Sequence, residues 1–452
     1  MYLAYSFLFT LGILLAAPYY LWRYRGKGLP RGYWRERFGV LPRSFQQPPV
    51  DCRALWVHAV SLGETLAVAG LVREIQQLDP MLPIFVSNVT PTGRAASETR
   101  MMGLAGRFYL PFDWRSGARR ALRRLQPAML LIVETELWPN LLAAAHQHGT
   151  RIVIVNARLS GRSFRGYRFF RPFVRRVLEN VDWVFAQTPG DAERYRALGA
   201  APERVVVAGN LKFDAALPQP GPLPARLQAA LKDAGRAPVV VAASTMPGEE
   251  PLVLRAWREI SERYPRALLL LAPRHPARFD QAAGLLASEG GTFVRRTALE
   301  TGNAGLVSQL GAPSILLLDS VGELAGLFQL ADVVFMGGSL VPAGGHNLLE
   351  PAFWSKPVVF GPHMENFRDA AGLFLKEQAA IQVRDTAGLT SALLKLLDDA
   401  GLRKTLGKNA KQILERESGA TRRILAYLRP WLEPVPEATV QEAKSATRGK
   451  VP

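Results

Sequence analysis

Short apolar runs alternate with helical stretches along most of the chain, and this alternation restricts the fold more than any other feature. In the first half the predicted strands are 54–60, 84–86, 129–133, 151–155, 181–186 and 204–208. In the second half they are 238–243, 267–272, 314–318, 332–336, 357–360 and 380–383. Strands separated by helices at this spacing predict an α/β fold with parallel, doubly wound sheets.

A Pro-rich stretch at 217–224 interrupts the alternation and predicts a linker. The pattern thus predicts two Rossmann-like domains facing a central cleft. By analogy with known folds, this is the B-type glycosyltransferase fold. The predicted segments are an N-terminal anchor at 1–22, an N-terminal Rossmann-like domain at 23–214, a linker at 215–237, a C-terminal Rossmann-like domain at 238–432 and a disordered tail at 433–452.

The first 22 residues carry no charged side chain, and basic residues follow them at once from Arg23. About 20 residues at roughly 1.5 Å rise are enough to cross the hydrocarbon core of a bilayer. The basic flank then predicts that the rest of the chain is cytoplasmic. The sequence leaves open whether this helix spans the membrane or lies in its surface.

The chain has 56 Lys and Arg against 38 Asp and Glu, a formal net charge of +18. This charge favours an anionic membrane, a phosphorylated ligand or nucleic acid, but no nucleic-acid-binding motif occurs. The only cysteine, Cys52, excludes a disulfide framework within the chain and a Cys-based zinc site. A stretch at 151–176 has eight arginines, five aromatic residues and no acid, which predicts a lipid-contacting surface, with a solvated basic face as the alternative.

Four glycines punctuate the segment 332–351 between a predicted strand and a helix predicted from Asn347. Free N–H groups of such a loop and of a helix N-terminus bind anions, so the segment predicts a nucleotide site. His346 and Asn347 would contact a phosphate, and Glu350 would accept hydrogen bonds from ribose hydroxyls. The alternative is an Asn cap followed by an acidic first turn.

Three acidic residues and one lysine follow predicted strands in the first half. Glu64, at a strand–helix turn, is a candidate general base or an acidic residue of a first helical turn. Glu134 and Glu136 are expected on one face of a strand end, where they would bind a metal, stabilise positive charge or form a structural ion pair. Lys212 would neutralise a substrate carboxylate or phosphate, or pair with Asp214.

Two further motifs lie in the second half. Arg274 and His275 end a predicted strand, and an arginine there suits bidentate phosphate binding. The turn Ser320–Val321–Gly322 precedes a predicted helix at 321–330 and would hold a base or a phosphate. Ser320 and Glu323 also fit a capping box.

Seven motifs together resemble the 3-deoxy-D-manno-octulosonic acid (Kdo) transferases of lipopolysaccharide synthesis. They are VHAVSLGE at 57–64, VSNVTPTG at 86–93, ETELWPN at 134–140, VNARLS at 155–160, GNLKFD at 209–214, PRH at 273–275 and GGSLVPAGGHNLLEP at 337–351. The resemblance runs in order from the anchor to about residue 425.

That resemblance implies an inverting transferase at the cytoplasmic face of the inner membrane. It would move Kdo from CMP-Kdo to the 6′-hydroxyl of the tetra-acylated lipid A precursor, lipid IVA, with no metal, other cofactor or nucleic acid. Glu64 matches the catalytic base, and Glu134 and Lys212 match positions that stabilise the transition state, where Lys212 would hold the Kdo carboxylate or pair with Glu134. The residues matching the CMP-Kdo site are Arg274, His275, Ser320, Val321, Gly322, His346, Asn347, Leu348, Leu349 and Glu350.

Two rival functions share part of this pattern. Another B-type transferase, using a UDP-sugar and a lipid acceptor, would have the same fold and the same ribose carboxylate. A membrane-associated nucleic-acid-binding protein would account for the net charge alone. The sequence predicts neither the number of Kdo units transferred nor the oligomeric state.

Overall fold

The structure, a computed structural model, describes residues 1–24, 32–45, 54–214, 222–299, 303–311 and 314–432, without the side chains of 20–24 and 303–304. The chain divides into two compact units, one of residues 1–215 with 417–452 and one of residues 216–416. Cys52, the linker residues 215–221 and the predicted tail lie outside the described residues. The central cleft stays a prediction.

The first unit contains a parallel sheet of seven strands in the order β3-β2-β1-β4-β5-β6-β7. Its strands are β1 Ala54–His58, β2 Ile84–Asn88, β3 Gly106–Tyr109, β4 Pro127–Val133, β5 Arg151–Ala157, β6 Trp183–Ala186 and β7 Val205–Val207. Strand β3 was not predicted, because its four residues include a glycine and an arginine.

Nine helices precede or connect these strands among the described residues of the first unit. They are α1 Tyr2–Tyr24, α2 Tyr33–Arg37, α3 Leu62–Leu78, α4 Pro91–Arg100, α5 Arg115–Leu125, α6 Pro139–Gln147, α7 Gly161–Phe169, α8 Arg171–Leu178 and α9 Pro189–Leu198. Helices cover both faces of the sheet, so the central strands β1, β2 and β4 are almost fully buried. Burial on both faces explains why the sequences of these strands are continuous apolar runs.

The second unit has the same architecture, with strand order β10-β11-β9-β8-β12-β13-β14 and all pairs parallel. The strands are β8 Val239–Thr245, β9 Leu268–Pro273, β10 Phe293–Arg295, β11 Ile315–Leu317, β12 Val333–Met336, β13 Val358–Phe360 and β14 Ala380–Gln382. The edge strand β10 was not predicted, because only three half-buried residues form it.

The helices of the second unit are α10 Pro222–Asp233, α11 Glu250–Arg263, α12 Phe279–Ser288, α13 Asn303–Gly311, α14 Leu324–Leu327, α15 Leu349–Phe353, α16 Arg368–Lys376, α17 Thr386–Asp398 and α18 Ala400–Glu417. The helix predicted at 321–330 is shorter than expected, since α14 has four residues and a 3-10 turn, Phe328–Leu330, follows it. Gly322, with φ +89°, keeps the preceding turn out of the helix.

The last helix, α19 Ala420–Leu432, belongs to the first unit, although the sequence pattern predicted it in the second domain. Its apolar side packs against α3 and the sheet of the first unit through Ile424, Leu425 and Leu428. Asp214, at the end of that unit's last connection, accepts hydrogen bonds from the N–H groups of Gly419 and Thr421. The predicted pair between Asp214 and Lys212 is therefore wrong, because the Asp214 carboxylate holds the start of α19.

Replacing Asp214 by alanine is expected to lower the free energy of unfolding by about 2 kcal/mol, because two N–H groups at the start of α19 lose a charged acceptor. Urea titration followed by circular dichroism measures this change. Asp214→Asn keeps one acceptor oxygen and should lose less. Equal losses in the two variants would contradict a capping role.

Helix α1 is long and apolar enough, by length and composition, to cross a membrane over Tyr2–Tyr19. One side of its first half nevertheless contacts the rest of the first unit. Asn140 Nδ2 donates to Ser6 Oγ at 2.9 Å, and Trp114 Nε1 donates to Thr10 Oγ1 at 2.9 Å. The opposite side exposes large apolar residues, namely Leu3, Phe7, Leu8, Leu11, Leu14 and Leu15.

Candidate active site

Each sheet reverses its strand order at one point, and ligands of open α/β sheets bind beyond the carboxyl ends of the strands at such a point. In the first unit the reversal lies between β1 and β4, and in the second between β8 and β12. Glu64 lies in the first turn of the helix after β1, and Glu134 directly follows β4. The loop after β12 carries His346. Glu64, Glu134 and His346 thus follow strands where the topology favours a ligand, whereas Arg274 and His275 follow β9 and the turn at 320–322 follows β11.

Glu64 lies in the first turn of α3, directly after β1, and only 7% of it is exposed. Its Oε2 accepts the N–H of Val60 at 2.8 Å, and its Oε1 accepts the hydroxyl of Ser61 at 2.8 Å. Ser61 Oγ in turn accepts the N–H of Glu64 at 3.4 Å and caps the helix. The alternative of an acidic residue in a first helical turn thus describes the position of Glu64 correctly, and the role of its carboxylate as a base stays a prediction.

The pKa of Glu64 is raised to about 7, and the largest cause is burial of the carboxyl group. The hydrogen bonds from Val60 and Ser61 act in the opposite direction, while the negative charges of Glu134 and Glu136 raise the pKa further. A carboxyl group with a pKa near physiological pH is well matched to general base catalysis, because it is partly ionised and still holds a proton firmly once it accepts one.

If Glu64 is the base, kcat/KM should rise about tenfold per pH unit below pH 7 and level off above it, because only the ionised form accepts a proton. Initial rates measured from pH 5 to 9 give this profile. A carboxyl group with the ordinary pKa of 4.5 would instead give a nearly flat profile across that range. A flat profile would contradict the assignment.

Glu134 follows the last residue of β4 and has a left-handed backbone, with φ +63°. The expectation that Glu134 and Glu136 share one face of a strand is therefore wrong, because the strand ends at Val133 and the chain turns. The Glu134 carboxylate lies 3.6 Å from Lys212 Nζ and 3.5 Å from Asn156 Nδ2. The structure thus pairs Glu134, rather than Asp214, with the lysine.

Asn156 brings this pair together, and sequence reasoning missed it. It is fully buried near the end of β5, with φ +55°. Its Oδ1 accepts the N–H of Leu211 at 2.9 Å, at the start of the short 3-10 helix that carries Lys212. One side chain therefore links the loop of Glu134 to the loop of Lys212. The sequence shows an asparagine in a buried strand, which indicates a special role without specifying it.

Glu136 is half-buried, and burial followed by the negative charge of Glu134 raises its pKa. Its own charge contributes to a raised pKa of Tyr167 in α7, for which burial is the larger cause. The negative charge of Glu134 thus raises the pKa of both Glu64 and Glu136, and Lys212 is paired with Glu134. Within the described parts of the chain, no group of three or more His, Cys, Asp or Glu has the arrangement of a metal site.

In the second unit, the charges of Arg274 and His275 act on His346, and the phosphate site expected at these three residues stays a prediction. Arg274 and His275 are exposed after β9. Burial, followed by their positive charges, lowers the pKa of His346 to about 4. Nε2 of His346 is buried and has no hydrogen-bond partner among the described residues. The cluster therefore presents an arginine, a histidine and one unsatisfied imidazole nitrogen.

The Gly-rich loop differs from its prediction. Its N–H groups at Gly338, Ser339 and Leu340 do not point to a free anion site, because they donate to the buried carboxylate of Glu249 at 2.5, 2.9 and 2.9 Å. A side chain of the protein itself thus occupies the position where the sequence predicted a ligand phosphate. Glu249 was missed because it lies 89 residues before Gly338.

The helix after this loop is also shorter than predicted. It begins at Leu349, has five residues and ends at Phe353. Asn347 Oδ1 accepts the N–H of Leu349 at 3.1 Å, and its Nδ2 donates to Glu350 Oε1 at 3.2 Å. The capping alternative is thus wrong for Asn347, because Leu348 is the N-cap residue of this helix and no side chain caps it, while the Asn347 side chain closes the turn before it. Leu348 and Leu349 are buried, so only their backbone groups are available to a ligand.

The turn Ser320–Val321–Gly322 follows β11. Ser320 Oγ donates to Glu323, and Glu323 pairs with Arg296 at 2.8 Å. The predicted capping box is incomplete, because α14 begins at Leu324, one residue after Glu323. Val321 is 76% exposed and lies at the tip of this turn, so the turn is open to solvent.

Comparisons with known proteins agree with this arrangement. The family model described as 3-deoxy-D-manno-octulosonic-acid transferase (kdotransferase) matches residues 32–215. The 3-deoxy-D-manno-octulosonic acid transferase of Haemophilus influenzae is 35% identical over 401 residues, which cover 88% of this chain and 91% of that protein. The enzyme of the same name from Bordetella pertussis is 37% identical over 439 residues, covering 94% and 99%.

Among solved structures, a UDP-N-acetylglucosamine 2-epimerase shares the fold with a TM-score of 0.51 at 13% identity, covering 84% of this chain and 97% of that one. This likeness concerns the fold alone, that of two Rossmann-like halves, which is the B-type arrangement. The sequence relatives establish the family as well as the fold, since two of them exceed 30% identity over almost their whole length. The chain therefore belongs to the 3-deoxy-D-manno-octulosonic acid (Kdo) transferase family.

Proposed function

We propose that this chain transfers Kdo from CMP-Kdo to the 6′-hydroxyl of the tetra-acylated lipid A precursor, with inversion at the anomeric carbon. Membership of the family supports Kdo transfer in lipopolysaccharide synthesis. The observation that carries the mechanism is Glu64, a buried carboxyl group at the reversal point of the first sheet with a pKa near 7. The acceptor and the stereochemistry rest on the resemblance of the motifs.

In the first unit, Glu64 takes the proton of the primary hydroxyl of the acceptor as its oxygen attacks the anomeric carbon of Kdo. The new C–O bond forms while the bond to the CMP phosphate breaks, and the electron pair of that bond leaves with CMP. Lys212, 3.6 Å from Glu134, supplies a cation that suits the Kdo carboxylate. Glu134 keeps that cation in place and stabilises positive charge that develops on the sugar.

In the second unit, Arg274 and His275 bind the phosphate of CMP-Kdo, whose negative charge increases as CMP leaves. No carboxylate among the described residues lies within ion-pair distance of Arg274, so its guanidinium is available to an anion. His346 is neutral at pH 7 because its pKa is lowered to about 4, and it contributes a hydrogen bond rather than a charge. The exposed turn at Ser320, Val321 and Gly322, and Glu350, complete the donor site.

The basic and aromatic stretch at 151–176 supplies a surface for the lipid acceptor. Phe164, Tyr167 and Phe173 pack against the core, while Phe169 and Phe170 are 81% and 60% exposed. Arg171, Arg175 and Arg176 line a groove on α8 together with one acid, Glu179. Exposed phenylalanines beside arginines suit an interface of acyl chains and phosphates.

Helix α1 provides the membrane contact, and its geometry favours a position in the membrane surface over a span. The polar groups of Tyr2, Ser6 and Thr10 are hydrogen-bonded to Asn180, Asn140 and Trp114 of the first unit. A spanning helix would move these residues away from such partners. With its docked side on the protein, α1 offers its exposed leucines to the acyl chains of the cytoplasmic leaflet.

The double variant Leu8→Glu/Leu15→Glu is expected to weaken membrane binding at least tenfold, because both side chains are on the exposed side of α1 and a carboxylate is costly in hydrocarbon. Flotation with vesicles containing anionic phospholipid measures the bound fraction. Ser6→Ala, on the docked side, is the control and should float like the wild type. Equal flotation of all three proteins would contradict a membrane contact by α1.

The rival donor, a UDP-sugar, is tested by measuring the unfolding temperature of the protein with each nucleotide and without an acceptor. CMP should raise the unfolding temperature more than UDP at equal concentration, since a nucleotide that binds only the folded state stabilises it more the more tightly it binds. Salt titration with DNA or RNA tests the nucleic-acid alternative. Larger protection by UDP than by CMP would contradict the proposed donor.

A further inference from the structure

Glu249 is completely buried at the start of α11, and its carboxylate accepts four backbone N–H groups. Oε2 accepts those of Met246 at 2.9 Å and Gly338 at 2.5 Å, and Oε1 accepts those of Ser339 and Leu340, each at 2.9 Å. No lysine or arginine of the described residues pairs with it. The carboxylate is therefore held by amides of two loops, those after β8 and β12, which flank the reversal point of the second sheet.

The amides that Glu249 holds are adjacent to the imidazole of His346. Gly338 has φ +67°, and a Cβ atom added there would lie 3.0 Å from Cδ2 and Nε2 of that ring. The backbone oxygen of Gly338 also accepts the N–H of Gly345 at 2.8 Å, directly before His346. A shift of Gly338 would thus move both the surface against which the imidazole packs and the residue that precedes it.

We propose that Glu249 is a positioning residue for the donor site, a built-in anion that fixes Gly338, Ser339 and Leu340 and thereby holds His346 in place. This proposal rests on the proposed binding of CMP-Kdo in the second unit. It assigns these three loop amides to the protein's own carboxylate, so that the donor phosphate is bound by Arg274, His275 and His346. Glu249 itself does not touch the donor.

Glutamine at this position tests the proposal because it keeps the shape and changes the hydrogen bonding. One oxygen can still accept two N–H groups, but the NH₂ group would face two further N–H donors. Because buried donors cannot be left unpaired without a large cost, the loop must shift. Glu249→Gln is therefore expected to raise the KM for CMP-Kdo about 10- to 100-fold and to leave the KM for the acceptor unchanged.

Glu250 offers a matched control, since it is 1% exposed and adjacent in sequence. Its carboxylate binds Thr245 Oγ1 at 2.8 Å and the guanidinium of Arg278 at 2.6 and 3.0 Å, and among the described contacts it has none with the Gly-rich loop. Glu250→Gln should therefore lower the unfolding temperature while leaving the KM for CMP-Kdo within about threefold of the wild type.

A second readout is independent of transfer. The chain has six histidines, so the imidazole C–H signals in NMR spectra are few enough to assign with His346→Gln. The His346 signal should move in Glu249→Gln and stay in place in Glu250→Gln. Gly338→Ala, which adds a methyl group against the ring, should reproduce the shift and the higher donor KM if Glu249→Gln does not fold.

The proposal is overturned if Glu249→Gln and Glu250→Gln lose stability alike while the His346 signal and the donor KM stay at their wild-type values. Failure of the proposed function has a different signature. In that case the wild type would transfer no Kdo, and the His346 signal would still show whether Glu249 controls the loop.

Discussion

Replacing Glu64 by glutamine is expected to lower kcat for Kdo transfer about 10²- to 10⁴-fold, the range that general base catalysis contributes. Glutamine keeps the size of the side chain and can still accept the N–H of Val60, which Glu64 accepts at 2.8 Å. The start of α3 should therefore persist, and only the proton acceptor is lost. Initial rates with saturating CMP-Kdo and acceptor measure the change.

The control for this variant is Glu98→Gln, an exposed glutamate of α4 that pairs with Arg94 at 2.9 Å on the same helix. It should keep the wild-type rate. The unfolding temperature of both variants establishes that the fold is unchanged. A Glu64→Gln protein that is folded and transfers Kdo at close to the wild-type rate would remove Glu64 from the mechanism.

The second large effect is expected from Lys212→Met, which should lower kcat/KM about 10²-fold, a loss typical of removing one preorganised charge from an active site. Methionine keeps most of the aliphatic length but leaves the Glu134 carboxylate without the cation that lies 3.6 Å away. Because the negative charge of Glu134 already raises the pKa of Glu64, the pH profile of this variant should move to higher pH.

A double-mutant cycle with Glu134→Gln separates the two possible roles of the lysine. If Lys212 acts together with Glu134, the double variant should lose little more activity than either single variant. Independent, multiplying losses would show that Lys212 contacts the substrate without help from Glu134. An unchanged pH profile in Lys212→Met would contradict the electrostatic link between this pair and Glu64.

The layered fold could be predicted because parallel strands covered on both faces leave a strong signal. The buried runs at β1, β4 and β8 are continuous and apolar, and their predicted positions agree with the structure to within a few residues. Strands β3 and β10 lacked that signal, since they are short edge strands with polar residues. The sequence therefore predicts the central strands, which are buried between helices, better than the short strands at the sheet edges.

The residue types of the candidate site could be predicted, but several of their partners could not. The order of residues along the chain showed that Glu64 follows a strand, while its pKa depends on burial among residues distant in sequence. The positive φ of Glu134 reversed the expectation of a shared strand face. The sequence did not predict that Glu249 accepts the loop amides or that Asp214 binds the start of α19 rather than Lys212, because these contacts join segments 89 and 205 residues apart.

Kdo transfer is tested most directly by incubating the purified chain in vesicles with CMP-Kdo and the tetra-acylated lipid A precursor, and weighing the lipid product by mass spectrometry. The wild type is expected to add the mass of one or more Kdo units, with a proportional release of CMP, and Glu64→Gln is expected to add none in the same time. A folded wild-type protein that is stabilised by CMP but leaves the lipid mass unchanged would contradict the proposed acceptor. No gain in mass and no stabilisation by CMP would contradict the donor as well.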